Sequence, residues 1–98
     1  MMNELNEENN DNNIFIAIVT IENKNFLNDP EGETILNDLI LNSGYFDVKS
    51  IRTAKSLKIE LMAKNMDDAK IKVKKMCDDL RIYNPIVSDC KIMVKRNR

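Results

Sequence analysis

The stretch that decides the fold is IFIAIVTI, residues 14–21, in which nearly every side chain is apolar. Its β-branched and aromatic residues favour a strand, and both faces of that strand are apolar. A strand with one solvated face would alternate between apolar and polar residues. The pattern therefore predicts a central strand with a cover on each side of the sheet.

The next segment, NDPEGETI at residues 28–35, predicts the start of a helix. Asp29 suits the N-cap and Pro30 the first helical position, and an apolar stripe continues to a stop at Gly44. The acidic first turn argues against a phosphate cradle at this helix end. Glycine is a poor helix former and the helix start does not require it at position 32. Our hypothesis is that Gly32 permits close approach by a neighbouring element or subunit.

Extended and helical patterns alternate through the rest of the chain. Strands are predicted over 46–53 and 56–63, joined by a short hairpin link. A capping box at Asn65 opens a second helix, and a last alternating strand covers 90–95 after the Asn84-Pro85 break.

The resulting order, β-α-β-β-α-β, predicts an α+β fold of the ferredoxin-like split type. Such a fold has a four-stranded antiparallel sheet with two helices on one face. The other face is left to solvent or a partner. The second apolar face of the first strand, together with Met62 and Met93, predicts a homodimer or higher oligomer formed through that face.

Composition places all of this in one small domain, residues 14–98, preceded by an acidic, Asn-rich tail at 1–13 that we expect to be disordered. No run approaches the ~20 apolar residues of a membrane span, and the N-terminus has no signal pattern, so we expect a cytoplasmic protein without membrane contact. The net charge of −1 gives no indication of nucleic acid as a partner.

Several kinds of chemistry are excluded by residue type. The chain has no histidine, and Cys77 and Cys90 have no CxxC spacing, so no Cys/His metal site or histidine-dependent catalysis is predicted. The predicted strand at 56–63 has no aromatic residue for stacking RNA bases. A small-molecule-sensing regulatory domain of the ACT type has the same topology and stays open as an alternative function.

A set of ordered short motifs resembles the PurS family, the small subunits of phosphoribosylformylglycinamidine synthase. The motifs follow in family order from the first strand to the last: VTI at 19–21, DPEG at 29–32, SGY at 43–45, VKSIR at 48–52, Lys55, KIEL at 58–61, VKKMCDDL at 73–80 and NPIVSD at 84–89. The chain differs from the family pattern in a longer loop at 22–28 and in Ala54, where the hairpin usually has glycine.

The resemblance implies a non-catalytic subunit of an ATP-dependent, glutamine-amide-transferring C–N ligase complex. That complex makes formylglycinamidine ribonucleotide in the fourth step of de novo purine biosynthesis. The PurS-type subunit would bridge a PurQ-type glutaminase and a PurL-type synthetase and support ammonia transfer. The synthetase would use ATP and Mg²⁺, and this chain would bind no cofactor.

Under this interpretation the site residues are contact residues, and none is catalytic or a metal ligand. They belong to the first helix start, the predicted hairpin and the turn before the last strand: Asp29, Pro30, Gly32, Arg52, Lys55, Asn84 and Pro85. A role in backbone shape competes with partner contact for Asn84 and Pro85, and simple exposure competes with it for Arg52 and Lys55.

Overall fold

The computed structural model describes residues 13–97, in which three strands form one antiparallel sheet. They are β1, Ile14–Asn23, β2, Ala54–Met62, and β3, Ser88–Arg96. The spatial order is β2-β1-β3, so IFIAIVTI is the central strand, as its sequence predicts. Both neighbouring strands pair with it in antiparallel register, so that Ala17 lies opposite Ile59 on one side and Val94 on the other.

One face of the sheet packs against a helix, α2, Met66–Asp79. Its buried residues Ala69, Val73 and Cys77 meet the face that carries Phe15, Ala17 and Val19, all fully buried. The N-cap half of the predicted capping box is confirmed, because the Asn65 side chain accepts from the backbone N–H of Asp68 at 2.8 Å, whereas the Asp68 carboxylate accepts from the backbone N–H of Lys64 at 2.9 Å and not from that of Asn65. The helix packs chiefly over β1 and β3.

The first helix, α1, begins where the sequence predicts and changes geometry along its length. It is α-helical over Pro30–Thr34, π-helical over Ile35–Ile40 and 3-10 over Leu41–Ser43. Asp29 is its N-cap, and Gly44 ends it with φ of 97°. The π turns are a departure from the even α-helix that the apolar stripe predicts.

The predicted strand at 46–53 is wrong, since the sheet of the described chain has three strands and this segment is in none of them. Its last residues form other bonds: Thr53 donates its backbone N–H to Asp29, and the Ile51 carbonyl faces Gly32. These contacts hold the segment against the start of α1, so it does not pair with the edge of β2. Because residues 46–53 form no strand, the hairpin predicted between them and β2 does not form.

The expected layer of two helices on one sheet face is also not present among residues 13–97. Helix α1 makes no extensive contact with the sheet or with α2, and Gly32 is its only buried residue over Pro30–Thr34. Its N-terminal bonds explain this, because they hold α1 at the end of the sheet. Residues 13–97 therefore form an α+β fold with two helices and a three-stranded antiparallel sheet.

The face of the sheet opposite α2 is covered by no described element. It carries Ile14, Ile16 and Ile18 on β1, of which Ile16 is buried and the other two are half-buried, flanked by Met62 and Met93, which are 59% and 72% exposed. The predicted disordered tail, residues 1–13, lies outside the described residues except for Asn13, whose carbonyl accepts from the backbone N–H of Ala63. Among residues 13–97, no helix has the length and apolarity to cross a bilayer.

Candidate subunit-contact site

Five residues at one end of the sheet form a joint between α1 and β2: Asp29, Gly32, Ile51, Arg52 and Thr53. The Asp29 carboxylate is its centre. It accepts from the backbone N–H of Gly32 at 3.1 Å, from the backbone N–H of Thr53 at 2.5 Å and from the Thr53 hydroxyl at 2.9 Å. One side chain therefore caps α1 and fixes the chain where it enters β2.

The backbone around position 32 leaves no room for a side chain, which is a requirement separate from helix capping. A Cβ at this position would overlap the Ile51 carbonyl oxygen and lie 3.0 Å from the carbonyl carbon. The neighbouring element that the sequence predicts at Gly32 is therefore the returning segment of the same chain. Pro30 occupies the first turn of the helix beside it, where its missing N–H costs no hydrogen bond.

Arg52 closes the other side of the joint. Its guanidinium donates to the carbonyls of Leu27 at 2.8 Å, Lys24 at 3.1 Å and Asn23 at 3.3 Å. The planar fork suits this task, because it reaches several acceptors at once. Sequence reasoning found no acidic partner for Arg52, and the structure supplies backbone carbonyls in that role.

The joint holds the pKa of Asp29 below its ordinary value. The backbone N–H of Thr53 is the main cause, followed by that of Gly32, and the Arg52 charge adds a smaller effect. These donors favour the ionised carboxylate in the folded chain. A group of this kind stabilises the fold above its ordinary pKa of 3.8, and the contribution is lost as the pH falls below that value.

We therefore expect Asp29→Asn to flatten the acid limb of the stability curve. Asparagine keeps an N-cap but has no charge to lose, so the melting temperature of the variant should fall less between about pH 5 and pH 3. Thermal melts at a series of pH values measure this. Asp38→Asn, an exposed carboxylate of the same helix, is the control, and equal acid slopes for wild type and Asp29→Asn would contradict the assignment.

Lys55 and Asn84 meet at a polar cleft of about 580 Å³ beside the joint. Its other walls are Glu31, Thr53 and the loop before β3. Asn84 also shapes its own turn, since its side chain accepts from Ile86 and its carbonyl accepts from Val87 and Ser88.

Pro85 lies away from the joint, at a smaller cavity with Lys74, Asp78 and Tyr83. Six of the seven predicted site residues thus gather around one end of the sheet. Thr53 was missed, and no local pattern marks it as the second partner of Asp29.

No group of three or more acidic or cysteine side chains in residues 13–97 could hold a metal ion. Cys77 lies in the core, where burial raises the pKa of its thiol, with the neighbouring Cys90 as a further cause. A thiol in that setting is disfavoured as a nucleophile.

A known family matches the chain over nearly all of the described domain. The family model of phosphoribosylformylglycinamidine (FGAM) synthase, PurS, matches residues 16–96. The chain belongs to the PurS family. Among relatives, the Archaeoglobus fulgidus FGAM synthase subunit PurS is 36% identical over 78 residues, which cover 80% of this chain and 95% of the relative. The Thermotoga maritima subunit is 33% identical over 79 residues, covering 81% and 94%.

Solved PurS structures have the same fold. Methanocaldococcus jannaschii PurS superposes with a TM-score of 0.72 at 32% identity and covers 86% of this chain and 99% of its own. A chain of the Thermotoga maritima PurLQS structure gives a TM-score of 0.68 at 32% identity, covering 86% and 98%. PurS membership accounts for the ordered motifs and favours the subunit interpretation over the ACT-type alternative.

Proposed function

We propose that this PurS family member is the non-catalytic small subunit of an FGAM synthase complex. The complex would convert formylglycinamide ribonucleotide, glutamine and ATP to formylglycinamidine ribonucleotide in purine biosynthesis. The observation that carries the proposal is the family match over residues 16–96, nearly all of the described domain. The similarity to a chain of the Thermotoga maritima PurLQS structure supports assembly with synthetase and glutaminase subunits.

Residue chemistry supports the glutaminase part of the proposed division of work. A chain without histidine lacks the general base of a glutaminase triad, so ammonia release belongs to the PurQ-type subunit. ATP and Mg²⁺ belong to the PurL-type synthetase. This chain would dock one partner on the other in the cytoplasm, with the joint and the polar cleft beside it as the proposed contact region.

We also propose that the subunit associates with itself through the open face, defined by Ile14, Ile18, Met62 and Met93. Large apolar side chains exposed on one side of a sheet are typical of an interaction surface. A chain of this size also has a small core, so association adds stability that the monomer lacks.

The test is reconstitution with PurL-type and PurQ-type subunits of one source organism. Glutamine-dependent ATP turnover should need this chain, whereas ammonia-dependent turnover by the synthetase should not. Comparing the two nitrogen sources separates coupling of the subunits from chemistry at the synthetase. Equal glutamine-dependent turnover with and without the chain would overturn the proposed role.

A further inference from the structure

The two cysteines of the chain face each other between α2 and the sheet. Cys77 lies in the last turn of α2 and is fully buried, and Cys90 lies near the start of β3 and is half-buried. Cys90 is opposite Ile21 of β1, which places it on the sheet face that carries Ala17 and Val19. Both thiols therefore belong to the core under α2, Cys77 as a buried member and Cys90 packed against it.

The two thiols are close enough to interact. Burial is the main cause of the raised pKa of Cys77, and Cys90 raises it further through its charge and through a side-chain hydrogen bond. A single buried cysteine behaves as a small apolar side chain. A facing pair has a further possibility, because oxidation can join the two sulfur atoms without a thiol from another molecule.

The order in which the two thiols can react follows from their access to solvent. In the described sheet β3 is an edge strand, and Cys90 is half-buried on it, so a small oxidant can reach its sulfur. Cys77 is 0% exposed, and its burial disfavours the thiolate that an oxidant attacks. Cys90 is therefore the sulfur that is oxidised first, and Cys77 is the sulfur that displaces oxygen from it.

Residues 78–89 are the segment that a bond between the two cysteines would enclose. This segment supplies part of the wall of the polar cleft: Ile82, Tyr83, Asn84 and Ser88. Its bonds to the end of β1 and the following loop include Lys24 N–H to the Val87 carbonyl at 2.9 Å, and the Ser88 hydroxyl to the Asn23 side chain at 3.1 Å. A covalent bond at its base would restrict the segment further, since cross-links reduce the freedom of the loop they close.

We propose that Cys77 and Cys90 form a reversible disulfide when the chain meets hydrogen peroxide, and that this bond stiffens residues 78–89 beside the polar cleft. The Cys90 thiolate attacks a peroxide oxygen, the O–O bond breaks, and Cys90 becomes a sulfenic acid. The hydroxide that leaves takes up the proton that Cys90 lost and becomes water.

The second step closes the disulfide. The Cys77 sulfur attacks the Cys90 sulfur, the S–O bond breaks, and hydroxide leaves with the Cys77 proton as a second water. Two thiols are oxidised and one peroxide is reduced, so no further reactant is needed. Because both sulfur atoms belong to one chain, proximity favours this step despite the weak acidity of Cys77. In a reducing compartment such a bond is transient, so it acts as a switch.

The experiment treats the reduced full chain with a small excess of hydrogen peroxide and then alkylates it with iodoacetamide under denaturing conditions. Mass spectrometry should show the loss of two hydrogen atoms, no alkylation, and linked peptides that contain Cys77 and Cys90. Dithiothreitol should restore both thiols. The melting temperature of the oxidised chain should rise by roughly 10–20 °C, because the bond closes a short loop. Amide exchange at Val87 and Ser88 should slow.

Two variants separate the roles of the thiols. In Cys90→Ser, Cys77 should lose its thiol to peroxide about tenfold or more slowly than the wild type, because buried cysteines are inert. In Cys77→Ala, oxidation should stop at a Cys90 sulfenic acid that dimedone traps. Cys77→Ser replaces that variant if it fails to melt cooperatively.

Three results would overturn the disulfide: a wild-type chain that keeps both thiols, one in which Cys90 is oxidised beyond the sulfenic acid without a link, and one in which Cys90 links only to Cys90 of another copy. A disulfide that leaves the melting temperature and the exchange at Val87 and Ser88 unchanged would overturn the stiffening. None of these measurements needs another subunit, so they are independent of the proposed complex.

Discussion

Gly32→Ala should destabilise the folded chain by about 1–3 kcal/mol, the usual cost of forcing a group into occupied space. For a domain of this size, that is a fall of roughly 5–20 °C in melting temperature. Helix propensity alone predicts the opposite, a gain of up to about 1 kcal/mol. The difference in sign arises because the new methyl would meet the Ile51 carbonyl, which is backbone. Thermal melts measure the loss of stability. Amide exchange at Thr53, whose backbone N–H bonds the Asp29 carboxylate, measures whether the joint opens.

Gly44→Ala is the matched control for this prediction. Gly44 has φ of 97° and open space around it, so alanine there costs about 1 kcal/mol of backbone strain and causes no collision. Its effect should be smaller, and exchange at Thr53 should stay slow. A Gly32→Ala chain as stable as wild type, with a protected Thr53 amide, would show that the joint tolerates a side chain.

Local signals in the sequence predicted the elements whose causes are local. The N-caps Asp29 and Asn65 and the left-handed stop at Gly44 each depend on a few neighbouring residues. The central strand was predicted because IFIAIVTI is apolar on both faces. The motifs that indicate PurS membership are also short local segments, so the sequence alone indicates the family.

The errors come from contacts between distant segments. Residues 46–53 have a strand-like composition, but Thr53 gives its N–H to a carboxylate 24 positions earlier, and no strand forms there. The placement of α1 beyond the sheet depends on the same joint. Sequence reasoning found no acidic partner for Arg52, because its acceptors are backbone carbonyls, which a sequence does not mark. No local pattern encodes these pairings, since they depend on how the chain folds back.

The second large effect is expected at the open face. Met93→Lys should weaken the proposed open-face contact by about 2–4 kcal/mol, or roughly 30- to 1,000-fold, because it buries an unpaired charge at the interface in each copy. The particle mass should fall by half at concentrations where the wild type is fully associated. Met93 is 72% exposed within one chain, so the substitution should leave monomer folding nearly unchanged.

Ile71→Lys is the control for this change, because Ile71 lies on the outer side of α2 and is 66% exposed. It introduces the same charge at a similarly exposed apolar position that does not belong to the open face. Light scattering over a concentration series compares the three proteins. A Met93→Lys particle that keeps the wild-type mass would exclude the open face as the site of self-association. A matching loss of mass for Ile71→Lys would mean that the effect is one of charge and does not depend on the face that carries it.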